Sequence, residues 1–174
     1  MSDEIIVKMN SIGSYRVGKT SLIRRYAEGK FSSDYLPTFG VDVTVKRITV
    51  DNEKIRLVLM DTDGQEQFGR LRNTYYQGSL GCIAVYDVTR AESFEDLDRW
   101  INDYRKVTSK DVSVVVIGNK IDLTDLRIIS TEEGKKYAKK NGFPFYESSA
   151  KTGGEEIPEM YEKLVRMILK RIDV

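Results

Sequence analysis

Hydrophobic and polar residues alternate along this chain with two different periods. Short apolar or β-branched runs that end in turn-forming residues predict strands, and apolar positions three and four residues apart predict helices. The predicted strands are Ile5–Ile12, Val41–Val50, Lys54–Asp61, Gly81–Val88, Val112–Ile117 and Phe143–Tyr146. The predicted helices are Lys19–Glu28, Ser93–Lys106, Thr131–Lys140 and Ile157–Ile172.

The order of these elements predicts an α/β fold with a mostly parallel sheet. One hairpin, turning at Asp51-Asn52, adds a single antiparallel strand. With 174 residues, the whole chain, 1–174, is expected to form one domain. Asn10 and Ser11 disagree with this pattern, because they lie in a strand that helices should cover on both faces. We expect a local hydrogen-bond network to satisfy them, since a buried polar group without a partner costs about 1–3 kcal/mol.

Composition excludes several classes of function. There are 28 Lys and Arg against 27 Asp and Glu, a net charge of +1, which argues against nucleic-acid binding. One cysteine excludes an internal disulfide, and the absence of histidine excludes imidazole metal sites and histidine-based catalysis. The longest apolar run is too short to cross a bilayer, and the polar start Met1-Ser2-Asp3-Glu4 resembles neither a secretory signal nor a myristoylation site. A cytoplasmic protein is the resulting expectation.

A phosphate-binding loop follows the first predicted strand and opens the first predicted helix. Gly13–Thr20 matches G-x-x-x-x-G-K-[ST], in which glycines let successive backbone N–H groups converge on an anion. The helix N-terminus adds partial positive charge, Lys19 can reach the outer phosphates, and Thr20 can bind Mg²⁺. The predicted phosphate-binding residues are Gly13, Ser14, Tyr15, Arg16, Val17, Gly18, Lys19, Thr20 and Ser21.

Polar residues after two later strands predict that the base is guanine. Asp122, in Asn119-Lys120-Ile121-Asp122, can accept hydrogen bonds from the N1–H and 2-amino groups of guanine, which adenine cannot offer in that pattern. Lys120 can cover the base and Asn119 can bridge to the phosphate loop. The Ala150 N–H can donate to the guanine O6. The predicted base-binding residues are Asn119, Lys120, Asp122, Leu123, Ser149, Ala150 and Lys151.

Two further segments carry residues suited to the γ-phosphate and the metal. In Asp61-Thr62-Asp63-Gly64-Gln65, Asp61 is suited to hold a Mg²⁺-bound water. Gly64 allows a close backbone approach to phosphate, and Gln65 can orient the attacking water. The loop before the second strand offers Thr38 as another Mg²⁺ hydroxyl. The predicted catalytic residues are Gln65 and Lys19, the metal residues are Thr20, Thr38 and Asp61, and the additional nucleotide contacts are Phe31, Tyr35, Thr38 and Gly64.

These motifs together resemble the small GTPases of the Ras superfamily, and the Rab branch most closely. The phosphate loop, Asp61-x-x-Gly64-Gln65-Glu66, Asn119-Lys120-x-Asp122 and Ser149-Ala150-Lys151 occur in order, and Asn73-Thr74-Tyr75-Tyr76 is similar to Rab sequence. The resemblance implies a P-loop G domain with a six-stranded sheet and about five helices. It also implies slow GTP hydrolysis with Mg²⁺, GTP/GDP as ligands, and switch loops near 31–45 and 61–77 that signal to effector proteins in membrane traffic. An exchange factor, a GTPase-activating protein and a monomeric state are implied as well.

Three residues near the expected γ-phosphate depart from the family pattern, namely Tyr15, Arg16 and Asp63. Arg16 could pair with Asp63, lean over the phosphates as a built-in arginine finger, or point to solvent. Tyr15 would occupy the entry path of an activator's arginine. These departures predict slow hydrolysis and leave open two alternatives to the switch, a GTP-binding scaffold without hydrolysis and a small-molecule kinase.

Membrane contact depends on a feature outside the motifs. Rab GTPases end in a tail with prenylated cysteines, whereas this sequence stops at Asp173-Val174. We therefore expect peripheral membrane contact only if a lipidated tail is present.

Overall fold

The computed structural model describes residues 4–34, 38, 40–62, 64 and 69–173, which form one mixed sheet with helices on both faces. All neighbouring strands are parallel except the hairpin pair at one edge. The strands are β1 Ile5–Ile12, β2 Val41–Val50, β3 Glu53–Thr62, β4 Gly81–Asp87, β5 Ser113–Asn119 and β6 Phe145–Ser148. Their order, β2-β3-β1-β4-β5-β6, places the first strand in the centre and confirms the predicted sheet.

The helices agree with the predicted pattern except at two places. In the described part of the chain they are α1 Lys19–Glu28, α2 Gly69–Tyr76, α3 Ala91–Glu95, α4 Leu97–Val107, α5 Thr131–Asn141 and α6 Glu156–Arg171. Helix α2 was not predicted, because it buries only Arg72 and Tyr76 and so lacks an apolar stripe. The predicted helix Ser93–Lys106 is divided at Asp96 into α3 and α4.

The last predicted strand, Phe143–Tyr146, begins too early. Gly142 caps α5 in the left-handed conformation, and the Phe143 N–H donates to the Ala138 carbonyl, so Phe143 still belongs to the end of the helix. Pro144 has no N–H to donate to the sheet. Strand β6 therefore starts at Phe145.

Two hydrophobic cores lie on opposite faces of the sheet. On one face α1 and α6 pack against β1 and β3, and Leu22, Leu57 and Met160 are fully buried there. On the other face α4 packs against β4 and β5, with Trp100 and Cys82 buried. Because both faces are covered, polar loops remain free to form a site only at the strand ends. No helix in the described ranges combines the length and the apolar character needed to span a bilayer.

Two local features concern polar side chains at the ends and inside the elements. Ser130 and Glu133 form a capping box at the start of α5. The expected network around Asn10 is wrong, because its side-chain amide is 1% exposed and neither its oxygen nor its nitrogen has a hydrogen-bond partner in the described residues. The Ser11 carbonyl accepts a hydrogen bond of 2.9 Å from the Thr62 hydroxyl.

The topology brings the predicted motifs to one edge of the sheet. Strands β1, β3, β4, β5 and β6 run in the same direction. The loops that follow their carboxyl ends therefore meet at one edge, where open α/β sheets bind ligands. Residues 13–18, 62, 64, 119–123 and 148–152 lie at or just after such ends.

Candidate functional site

A cavity of ≈ 290 Å³ opens at the carboxyl ends of the parallel strands. Most of the residues that the sequence predicted for a nucleotide site line it: Tyr15, Arg16, Gly18, Lys19, Thr20, Ser21, Phe31, Thr38, Gly64, Asn119, Lys120, Asp122, Leu123, Ala150 and Lys151. Five predicted residues lie beneath or beside this lining: Gly13, Ser14, Val17, Asp61 and Ser149. Tyr35, Asp63 and Gln65 lie outside the described residues. The structure thus gathers four separate motifs around one volume.

The phosphate loop adopts a conformation that depends on its glycines. Gly13 has φ 140° and Gly18 has φ 101°, both in a region that L side chains rarely adopt. A Cβ on Gly13 would also come within 2.2 Å of the Val85 carbonyl oxygen on the neighbouring strand. The Lys19 ammonium lies over this loop and donates to the Gly13 and Ser14 carbonyl oxygens, at 2.9 Å each. The loop therefore presents its backbone and one lysine to the cavity.

A hydrogen-bond network outside the motif fixes the phosphate loop to the neighbouring helical layer. The Trp100 indole Nε1 donates to the Ser14 hydroxyl at 3.1 Å, and that hydroxyl donates to Asp96 Oδ2 at 3.2 Å. Arg90 Nη1 donates to the Tyr15 carbonyl at 2.7 Å. Sequence reasoning missed these contacts, because Ser14 and Trp100 are 86 positions apart.

Three oxygen-bearing side chains converge beside Lys19. The hydroxyl oxygens of Thr20 and Thr38 lie 2.8 Å apart, and both donate to Asp61 Oδ2, the Thr38 bond being 3.2 Å long. Asp61 Oδ1 is buried and has no partner among the described residues. Burial raises the pKa of the Asp61 carboxyl, and the Thr20 hydroxyl and the Lys19 charge oppose that rise.

The chemistry of these donors fits magnesium. Hydroxyl and carboxylate oxygens are the hard ligands that Mg²⁺ prefers, and the ion commonly takes few protein ligands and completes its shell with water and phosphate oxygens. No cluster of three or more His, Cys, Asp or Glu side chains suited to another metal occurs in the described ranges.

At the opposite end of the cavity, hydrogen bonds orient Asn119 and Asp122. Asn119 Nδ2 donates to the Val17 carbonyl at 2.9 Å, and its Oδ1 accepts from the Ala150 N–H at 3.3 Å, which joins two of the predicted motifs. Asp122 Oδ1 accepts from the Ser149 hydroxyl at 2.6 Å. Asp122 lines the cavity while Ser149 supports it from behind, so the serine acts as a positioning residue.

Lys120 crosses between the base loop and the phosphate loop. Its φ is 71°, and its ammonium pairs with the buried Asp87 carboxylate at 2.7 Å and donates to the Arg16 carbonyl at 2.7 Å. Because these two partners hold the Lys120 ammonium, its methylene stem forms part of the cavity wall.

Arg25 also holds the base loop, although no motif pointed to it. Its Nε donates to the Ala150 carbonyl at 2.8 Å and its Nη2 donates to the Lys151 carbonyl at 2.7 Å. Other lining residues that sequence reasoning missed are Arg24, Lys30, Ser32, Ser33, Asp34 and Thr62. Most of these follow α1 without a recognisable pattern, so only the three-dimensional arrangement identifies them.

The departures in the phosphate loop have a defined geometry. Arg16 has φ 64°, an unfavourable conformation for a residue with a Cβ, and its guanidinium lies 5.4 Å from the centre of the Tyr15 ring. Both residues line the cavity. The predicted pairing of Arg16 with Asp63 concerns a residue outside the described ranges and stays a prediction.

The glycine-rich loop after a central parallel strand, and the cavity beside it, define a P-loop nucleotide-binding domain. The family model described as the Ras family matches residues 8–170. The chain is 40% identical over 172 residues to the Ras-related protein Rab-2B of Dictyostelium discoideum, covering 99% of this chain and 85% of the relative. It is 36% identical over 170 residues to the human Ras-related protein Rab-8B, covering 98% and 82%. The chain belongs to the Ras family of small GTPases.

Membership of this family establishes the class of activity. The chain is a GTP-binding molecular switch and a GTP hydrolase, and it is similar to Rab-named proteins at 34–40% identity over nearly the whole chain. The prediction of a Rab-like GTPase is thereby confirmed, and the kinase and scaffold alternatives gain no support.

Proposed function

We propose that this chain binds GTP and GDP in the cavity at the sheet edge and switches its loops in response to the γ-phosphate. The observation that carries the proposal is that the two ends of this cavity differ in their chemistry. Lys19, Thr20 and Asp61 mark a phosphate and metal end, and Asp122 with the Ala150 N–H marks a base end. A nucleoside phosphate has two matching ends, an anionic phosphate chain and a planar base.

The base end is suited to guanine. The Asp122 carboxylate is an acceptor, and the Ser149 hydroxyl fixes its direction. Guanine offers two N–H donors to such a group, whereas adenine offers an acceptor at N1 and would leave the carboxylate unpaired. The Ala150 N–H, which donates to Asn119 Oδ1 at 3.3 Å in this structure, would turn to the guanine O6 when the base is bound. Discrimination that leaves a charged group unpaired can reach several orders of magnitude.

The phosphate end contains the groups needed to hold an anion and a divalent cation. Thr20, Thr38 and, through water, Asp61 would hold Mg²⁺, which neutralises phosphate charge during hydrolysis. Lys19 and the backbone N–H groups of the loop would bind the β- and γ-phosphate oxygens. Gln65 retains its predicted role of orienting the attacking water, and Tyr35 and Phe31 remain predicted contacts of the nucleotide.

The approach of Gly64 to the phosphate loop supports a switch. A Cβ on Gly64 would lie 2.6 Å from both Lys19 Nζ and the Tyr15 backbone nitrogen, so this segment can sit against the loop only as glycine. Its N–H would meet a γ-phosphate oxygen in the GTP form. Segments 31–45 and 61–77 then carry the nucleotide state to partners.

The wider role follows from the family. We infer that the chain acts in membrane traffic as a monomer, with effectors, an exchange factor and a GTPase-activating protein as partners. It would lie at the cytoplasmic face of membranes, held peripherally if a lipidated tail is present. Hydrolysis is inferred to be slow, because Tyr15 and Arg16 fill space beside the phosphates.

Exchanging the base preference tests the proposal. Asp122→Asn replaces an acceptor by a donor and should weaken GDP binding while creating affinity for xanthosine diphosphate, which carries an oxygen in place of the 2-amino group. Asp125→Asn, which removes the same charge in the adjacent 3₁₀ turn, should bind GDP like the unmodified chain. Titration of both variants with both nucleotides measures this. Unchanged GDP affinity in Asp122→Asn would overturn the assignment of the base end.

A further inference from the structure

A second cleft, of ≈ 410 Å³, lies between the end of α4, the start of β5 and the last turns of α5 and α6. It lies at the amino end of β5, whereas the nucleotide cavity lies at the carboxyl end of the same strand. The family function described above uses none of its residues. The cleft is open to solvent, with a small apolar floor that includes Val112 and Val114.

The charge of this cleft differs from the charge balance of the chain. The whole sequence carries a net charge of +1. The cleft is lined by four cations, Arg105, Lys110, Lys170 and Arg171, and by one carboxylate, Asp111. Lys110 and Lys170 are exposed, and neither has an ion-pair partner among the described residues. Two further exposed lysines, Lys139 and Lys140, end helix α5, just before the lining residues Asn141 and Gly142.

The two arginines are held in place and keep unused donors. The Arg105 guanidinium lies 5.3 Å from the centre of the Phe143 ring, and in the described part of the chain it donates no hydrogen bond. Arg171 donates from Nη1 to the Asp111 carbonyl at 3.2 Å and from Nη2 to the Leu80 carbonyl at 2.6 Å. The Nε groups of both arginines are buried and have no partner among the residues that the structure describes.

A hydroxyl group adds to this set of donors. Ser113 is 7% exposed and lines the cleft, and its hydroxyl has no partner among the described residues. A neutral donor in the same cleft as a guanidinium that an aromatic ring already orients is suited to an oxyanion with several acceptor atoms. A single carboxylate would engage only part of this set, whereas clustered phosphate groups offer enough oxygens and charge for four cations.

We propose that this cleft binds a ligand with clustered phosphomonoester groups. Arg105 and Ser113 contact one phosphate group at the floor of the cleft, and Lys110 and Lys170 contact the others from its rim. The same chemistry occurs in the headgroup of a phosphorylated inositol lipid and in a free inositol phosphate. A lipid source would bring this end of the sheet to the membrane and leave the nucleotide site, at the other end of the strands, facing away from it.

Two binding measurements on the full chain loaded with GDP and Mg²⁺ test the proposal and distinguish these sources. The first is calorimetric titration with inositol 1,4,5-trisphosphate. The second is sedimentation with phosphatidylcholine vesicles that contain or lack phosphatidylinositol 4,5-bisphosphate. Loading with GDP keeps the probes out of the nucleotide cavity, so the result does not depend on the proposed function of that cavity.

The variant Lys110→Glu/Lys170→Glu changes only exposed side chains, so it should fold and retain GDP. Each basic residue near an anionic surface contributes roughly a fivefold gain in affinity, so this variant should bind at least about 25-fold more weakly. The control Lys54→Glu/Lys135→Glu makes the same charge change at exposed positions outside the cleft and should bind within about twofold of the unmodified chain.

Binding of both probes that is lost in the cleft variant supports a lipid headgroup as the source. Binding of the free trisphosphate alone, with the same loss, supports a soluble inositol phosphate. Failure of the unmodified chain to bind either probe would overturn the proposal, and so would an equal loss of binding in the control variant.

Discussion

The indole of Trp100 donates a hydrogen bond of 3.1 Å to the hydroxyl of Ser14, so helix α4 holds the phosphate loop directly. The same helix is held to α2, because the Arg72 guanidinium lies 4.7 Å from the centre of the Trp100 ring. Trp100 is 3% exposed and belongs to the hydrophobic core that α4 forms with β4 and β5. The position of the phosphate loop therefore depends on how α4 packs.

Trp100→Phe should accelerate GDP release. The substitution keeps an aromatic ring in the core and removes the donor to Ser14, a hydrogen bond whose net value is about 0.5–1.5 kcal/mol. We expect release to become about twofold to tenfold faster. Dissociation of a fluorescent GDP analogue measures this rate. Tyr104→Phe, on the same helix as Trp100, is the control. It removes hydrogen bonds to the Ser79 hydroxyl and the Gly81 carbonyl, which lie away from the phosphate loop. Equal rates in the two variants would contradict the role of Trp100.

Tyr15→Gly should restore a response to activators that supply an arginine. The Tyr15 ring lines the phosphate end of the cavity, where such a side chain would enter. Removing the ring should raise the stimulated single-turnover rate about tenfold or more, since an arginine finger contributes orders of magnitude. Arg24→Ala, at another arginine of the lining, is the control and should leave the stimulated rate unchanged.

Arg16→Ala addresses the other departure in this loop. If the Arg16 guanidinium acts on the phosphates, its removal should slow intrinsic hydrolysis, and single-turnover GTP cleavage measures that rate. Fast turnover of the unmodified chain that does not change in Arg16→Ala would refute both slow hydrolysis and a built-in arginine finger.

Ser130→Ala should destabilise the fold by about 1 kcal/mol, because it removes the acceptor for an orphan N–H at the start of α5. The Ser130 hydroxyl accepts from the Glu133 N–H at 3.2 Å. Urea unfolding measures the change. Ser130→Thr retains the acceptor and should lose far less stability, whereas an equal loss in both variants would assign the effect to packing.

Alkaline pH should destabilise the fold through Tyr26. Burial, with a contribution from the charge of Glu162, raises the pKa of Tyr26 from 10.0 to about 12. The unfolded chain loses its phenol proton first, so stability is complete below pH 10 and falls as the pH rises toward 12. The Tyr26 ring stacks on Tyr161 at 4.0 Å, and its hydroxyl has no partner in the described residues. Tyr26→Phe should therefore lose less stability over this range, which unfolding at stepped pH measures.

The sequence predicted the sheet well because each strand carries its own signal. The β-branched run Val112–Ile117 and the turn at Asp51-Asn52, where both residues have positive φ, are local features of the chain. Helix α2 escaped prediction because its burial depends on Arg72 and Tyr76, whose environment is created by a distant helix.

The candidate site likewise contains residues that the sequence reveals and residues that only the structure reveals. Its motifs have fixed spacing, so Lys19, Thr20 and Asp122 could be found by pattern. The residues that hold those motifs in place, Trp100 and Arg25, could not, since their partners lie 86 and 125 positions away. Asn10 is the opposite case, because the sequence identified it as an anomaly and its buried amide has no hydrogen-bond partner in the described part of the chain.

The hydrogen bond from Arg25 to the Ala150 carbonyl has a consequence for how the protein is made. Helix α1 leaves the ribosome early, but its partner loop follows the last strand, so the base end cannot close until nearly the whole chain is synthesised. Strand β1 likewise waits for both of its neighbours, β3 and β4, to be translated. A nascent chain that lacks β6 would hold a phosphate loop and Asp122 but not the loop that completes the guanine site. Nucleotide binding would then stabilise only chains whose synthesis is nearly complete, because a ligand stabilises the state that binds it.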